Sequence, residues 1–156
     1  MKISKDKSLT LSLWLAGVLF VGCIVGLFVL PSLVELLLAL PDRVGDRENI
    51  TLLGKVLVYA MAYGIVLTVI EADTALWFIL MRVKNRLVFT DFTVQRIRIG
   101  SWGCIVLSGE FGVLTIYFQL SFILCFLAVF LGLSIRGVKN VMEEATALKT
   151  ENDLTV

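Results

Sequence analysis

A chain of 156 residues with 58% apolar side chains and a mean hydropathy of +0.94 is richer in hydrocarbon than a water-soluble domain, whose apolar share is about 45–50%. Its 14 basic and 13 acidic residues leave a formal charge of +1, too small a field to draw nucleic acid, and direct nucleic-acid binding is set aside. There is no histidine, so the commonest general base and the commonest transition-metal ligand are both missing, and the sequence reads as non-enzymatic and without a cofactor.

Lys2, Lys5 and Lys7 precede an apolar run over 9–30, the first predicted helix. About 20 residues cross the hydrocarbon, secretory leaders have shorter apolar cores, and no A-x-A site follows, so the run reads as an uncleaved span. Phe20-Val21-Gly22-Cys23 faintly resembles a lipoprotein acylation site, but 24–30 stays apolar where a lipoprotein would turn polar. Pro31 predicts a kink, with a short outer extension over 33–40 around Glu35 that ends at Pro41. The mixed-charge stretch 42–49 reads as an outer loop.

The second helix is predicted over 52–81, with Lys55 near its outer end and Trp77 near its inner one. Beyond it, Arg82, Lys84, Arg86, Arg96 and Arg98 face only Asp91, which places the 82–98 loop in the cytoplasm by the positive-inside rule. The apolar stretch that follows is long enough for two spans, predicted over 94–116 and 120–135 with a turn at 117–121. Arg136 and Lys139 mark the return to the cytoplasm. The tail 136–156 carries Val138, Val141, Met142, Ala145 and Leu148 at helical spacing. The expected fold is all-α: a four-transmembrane-helix bundle in the cell membrane with both termini cytoplasmic.

Helices in lipid associate through small residues. Two rows at four-residue spacing stand out, Ala60, Gly64, Thr68, Ala72 and Gly100, Cys104, Ser108, Gly112, with Gly22 and Gly26 on the first helix. They either pack helices 1, 2 and 3 within one chain or build a homo-oligomer; the spacing alone does not separate the two. Cys23, Cys104 and Cys125 lie singly in apolar runs without CxxC spacing and read as small packing residues.

Glu71, Asp73 and Glu110 form a candidate intramembrane polar site, since a charged side chain near the midplane costs at least about 2.5–3.5 kcal/mol. Counted from Arg82 and Arg98, Glu71 and Glu110 both lie roughly 16–18 Å deep, so antiparallel neighbours would bring them together. The pair would share a proton or bind a cation, supported by Thr68, Ser108 and Tyr117, or it would be two protonated carboxyls hydrogen-bonded for structure alone. Asp73, nearer the inner face, would reach headgroups or pair with Arg98.

Leu87-Val88-Phe89-Thr90, then Arg96-Ile97-Arg98-Ile99-Gly100, and the terminal Glu151-Asn152-Asp153-Leu154-Thr155-Val156 together carry a resemblance. In these segments, and in topology over essentially the whole chain, the sequence resembles a bacterial family of four-helix membrane proteins of unknown function. That family is often encoded beside a small Cro/repressor-type helix-turn-helix regulator. The resemblance implies a regulatory role and no established catalysis; Thr93 stands where the family usually has asparagine, and the basic stretch is one residue shorter. On physical grounds Thr90 would cap the third helix, and Phe89 would anchor the loop against the bilayer. The tail, through Glu151, Asn152, Asp153 and the anchors Leu154 and Val156, would dock on the inner loop or on a protein partner, or fray as a solvated end.

Two functions follow as expectations. One is a contact protein working through lipid or protein partners at the inner loop and tail, as a membrane sensor or regulatory partner. The other is a small proton- or cation-coupled transporter or channel subunit using Glu71 and Glu110.

Overall fold

A computed structural model of the chain describes residues 5–39, 51–85 and 88–154. The expected outer loop 42–49, Arg86, Leu87 and Val156 lie outside the described residues, as do the side chains of Asp153 and Leu154. The described chain holds four helices, α1 Lys5–Ala39, α2 Leu52–Lys84, α3 Asp91–Leu114 and α4 Ser121–Leu154. Each is long and apolar enough to cross a membrane, and the protein is an all-α membrane bundle.

Three boundaries differ from the sequence expectation. First, the helix expected to kink at Pro31 and continue over 33–40 is one assigned helix, α1, with Pro31 inside it and its end at Ala39. Proline removes a single amide donor, at the cost of one backbone hydrogen bond to the carbonyl of Leu27; the strongly apolar residues on both sides keep the helix going in a solvent that offers no substitute donors. The Pro31 carbonyl itself accepts from the Tyr59 hydroxyl on α2 at 3.5 Å. Second, α3 starts at Asp91 rather than 94, because the chain turns helical at its cap. Third, the expected fourth span 120–135 and the described part of the tail form one helix of 34 residues, Ser121–Leu154, about 50 Å long and well beyond the roughly 30 Å of a bilayer core.

The α3 start is set locally, as the sequence predicts. Thr90 has extended backbone (φ −143°, ψ 148°), and its hydroxyl accepts from the Thr93 amide at 3.4 Å, with the two hydroxyls 3.0 Å apart. Thr93 is 1% exposed and lies buried under the cap. Asp91 in the first turn meets the positive end of the helix dipole. At the other end α3 unwinds after Leu114, whose carbonyl accepts from the amides of Tyr117 and Phe118 at 2.9 and 2.8 Å, and α4 begins at the buried Ser121.

Neighbours in sequence are neighbours in space. Among the described residues α1 packs on α2, α2 on α3 and α3 on α4, and no Cα of α1 lies within 8 Å of α3 or α4. Leu30 and Val34 of α1, Val58 of α2 and Leu114 of α3 form one buried cluster at the end of the bundle opposite Arg82 and Arg96. The remaining apolar surface, including Trp14, Phe28, Leu52, Phe122 and Phe126, is exposed in the isolated chain, as lipid-facing residues must be.

The small-residue rows sort differently from the expectation that they join helices 1, 2 and 3. Gly64 and Thr68 of α2 do face α3: a Cβ on Gly64 would lie 2.6 Å from Glu110 Oε1, and one on Gly103 would lie 3.8 Å from Thr68 Cγ2. Cys104 and Gly112 instead face α4, against Gly132 and Cys125. On α1 the contact glycine is Gly17, under the Trp77 ring at 3.3 Å, whereas Gly22 and Gly26 have nothing within 4 Å.

Candidate functional site

Antiparallel packing gathers the charged ends of the helices at one end of the bundle. There Arg82 lies 4.6 Å above the Phe92 ring, and Arg96 lies 4.9 Å from both Phe92 and Phe78. The two rings meet edge to face at 6.3 Å. These contacts tie the last turns of α2 to the first turns of α3 through cation–π attraction, about 0.5–1 kcal/mol each where exposed. Arg136 stacks over Trp102 in the same way at 5.2 Å, between α4 and α3. The sequence reading missed this stack, although its signal was there: an aromatic residue beside each basic one at a helix end.

The α4 extension lies along the beginning of α3. Arg98 pairs with Glu143 at 3.4 Å, Glu143 pairs in turn with Lys139 at 2.6 Å, and Thr146 is 8% exposed. Asp91, Val94, Gln95 and Arg98 of α3 line a groove of about 380 Å³ with Glu143, Thr146, Ala147 and Thr150 of α4. Of the residues proposed for docking, Arg98 belongs to this platform, Arg96 to the aromatic stack and Thr90 to the cap. Phe89 is exposed beside them. Glu151 and Asn152 fall within the last turn of α4. The described part of the tail therefore reaches the start of α3 as a continuous helix.

The three membrane acids separate. Glu110 on α3 faces α2, where its Oε1 sits over Gly64 and 3.5 Å from the Thr68 hydroxyl. The single Thr68 hydrogen is already well placed on the Gly64 carbonyl at 3.0 Å, so the longer contact satisfies Glu110 poorly. Its Oε2 is buried with no hydrogen-bond partner among the described residues. Ser108 Oγ donates to its own helix, to the Ile105 carbonyl at 2.6 Å.

Glu71 does not join Glu110. It lines a cleft with Thr68, Gln95, Arg98, Ile99, Trp102 and Gly103, nearer the basic end, and Thr68 is the residue the two acids have in common, since its hydroxyl also lies 3.5 Å from Glu110 Oε1. The depth count failed because Arg98 lies inside α3, two turns past its first residue, and so does not stand level with Arg82, which meets Phe92 instead. Asp73, two positions from Glu71, points to the other neighbour: it is 7% exposed, lines a pocket against α1, and its Oδ1 has no partner among the described residues. Arg98, expected to pair with it, is engaged by Glu143.

Among the described residues no three His, Cys, Asp or Glu side chains converge as a metal-ligand set. Comparison with protein-family models, with curated proteins and with solved structures found no match.

Proposed function

We propose that this protein is a contact protein of the cell membrane, working as a sensor or regulatory partner through a cytoplasmic platform built from the start of α3 and the extension of α4. The observation that carries the reading is the single helix α4, which leaves the apolar slab after Ile135 and continues to Leu154 while packed on α3. A helix held at both levels transmits a tilt or shift of its lipid-facing part to its end. The excess of basic residues at this end supports a cytoplasmic location for both termini.

Photo-crosslinking from Gln95 and Ala147 in native membranes tests the reading. A specific adduct that is lost on deletion of 151–156, with the protein still inserted, supports docking at the platform. Recovery of the same adducts from the truncated chain refutes a role for the tail.

A second reading is favoured by the unpartnered oxygen of Glu110: a small proton- or cation-coupled transporter or channel subunit. Flux into proteoliposomes decides it. Under this reading Glu110→Gln abolishes proton or cation flux; absence of flux from the parent protein removes it.

A further inference from the structure

We propose that the pocket around Asp73, between α1 and α2, binds a small organic ammonium cation. The proposal rests on α1 and α2 alone and stands whether or not the platform reading holds.

Gly17 and Phe20 of α1 and Asp73, Thr74, Trp77 and Phe78 of α2 line a pocket of about 330 Å³. Asp73 and Trp77 are one helical turn apart, so they share a face of α2. Gly17 admits the Trp77 ring: a Cβ there would lie 3.3 Å from the indole edge. The result is a cavity walled by Phe20, Trp77 and Phe78 with one carboxyl at its margin; Phe78 already carries the Arg96 guanidinium 4.9 Å from its ring centre, so Phe20 and Trp77 are the rings left for a ligand.

That carboxyl lacks a donor. Asp73 Oδ1 is buried with no hydrogen-bond partner among the described residues, and the neighbouring Thr74 hydroxyl donates to the Glu71 carbonyl at 2.8 Å. Lys84 is eleven positions away along α2, about 16 Å, too far to reach it. A desolvated carboxyl oxygen of this kind is costly unless a donor arrives from outside.

The walls select the donor. A metal ion of the calcium or magnesium type takes about six oxygen ligands, and one carboxyl beside aromatic rings does not supply them. An ammonium group fits both features, giving an N–H donor to the carboxyl and its positive charge to the ring faces, while its carbon substituent fills the apolar volume. The ligand class is therefore a primary or secondary amine, protonated, with an aromatic or short aliphatic body.

Isothermal titration of the full-length protein in detergent with phenethylammonium, and with the uncharged 2-phenylethanol as its partner control, tests the site. Saturable binding of the ammonium is expected, weakened at least about tenfold in the near-isosteric Asp73→Asn and several-fold in Phe20→Leu. Glu35→Gln, exposed on α1 and fifteen positions from Phe20, should bind as the parent does. Monodisperse elution and unchanged helicity establish that the variants are folded; should Asp73→Asn fail that check, Phe20→Leu and the alcohol control decide alone. Equal binding of the ammonium and the alcohol, an unaltered affinity in Asp73→Asn, or no saturable binding by the parent overturns the proposal.

Discussion

Ser101 on α3 donates its hydroxyl to the carbonyl of Gly132 on α4 at 3.1 Å, across a close approach of the two helix backbones: a Cβ on Gly132 would lie 3.1 Å from Cys104 Cβ and 3.4 Å from the Ser101 carbonyl. The hydroxyl is buried, and the glycine is what lets the two backbones approach. Gly132→Leu should therefore force α3 and α4 apart, at a cost of about 1–3 kcal/mol. Ser101→Ala should cost less, about 0.6 kcal/mol for one interhelical bond in lipid. Thermal unfolding in detergent, followed by circular dichroism, measures both. Equal stability of Gly132→Leu and the parent would contradict the close approach.

Glu110 and Gly64 form a second coupled pair. A methyl at position 64 would sit 2.6 Å from the carboxyl oxygen, which must then swing away from Thr68. Gly64→Ala is expected to destabilise by about 1 kcal/mol or more in the parent and by much less in a Glu110→Ala background. A double-mutant cycle on unfolding free energies reads the coupling, and strict additivity would count against the contact.

The N-terminus of α3 depends on one hydroxyl. Thr90→Ala removes the acceptor of the Thr93 amide and the neighbour of its buried hydroxyl, and should cost about 1 kcal/mol. The loss should be local: faster hydrogen exchange at the first amides of α3, with exchange in the middle of α3 unchanged.

The platform predicts proximity between α3 and the α4 extension. With the native cysteines replaced by alanine, the pair Gln95→Cys and Ala147→Cys should form a disulfide readily, because both positions line the same groove. Glu143→Gln should leave that crosslink in place, since the Arg98–Glu143 pair is exposed on both sides and worth about 0–1 kcal/mol, and the Lys139 pair lies within α4 and does not join it to α3. Failure of the crosslink to form in the parent would detach the extension from α3.

Much of the architecture was legible because a bilayer imposes length and composition together: the four apolar runs, the Thr90 cap and the turn after α3 could be read from local chemistry. Continuity was harder. Pro31 looks like a break by water-based rules, yet the hydrocarbon around it penalises an interruption more than one lost hydrogen bond. The α4 extension reads as a separate amphipathic tail because its polar face begins at Arg136, although nothing there stops the helix. Partner choice was hardest, since depth counted from basic residues assumes that those residues mark a common plane. Arg98 breaks that assumption, and with it the expected meeting of Glu71 and Glu110. Ala128 and Gly132 had the four-residue spacing that marks a contact, and Asp73 and Trp77 had the one-turn spacing that marks a shared face; neither pair is visible as a site until α3 and α1 are placed beside them.

The side-by-side order of the helices bears on how the protein is made. Because each helix rests on the one synthesised just before it, and α1 has no Cα near α4, every tertiary contact can form as soon as the next segment leaves the translocon. No early helix has to wait, unsatisfied, for a late one to close a ring. Biogenesis of this chain is thus a sequence of hairpin completions in the order of translation, and ribosome-stalled intermediates that end after α2 or α3 should already carry the interhelical contacts of the finished protein.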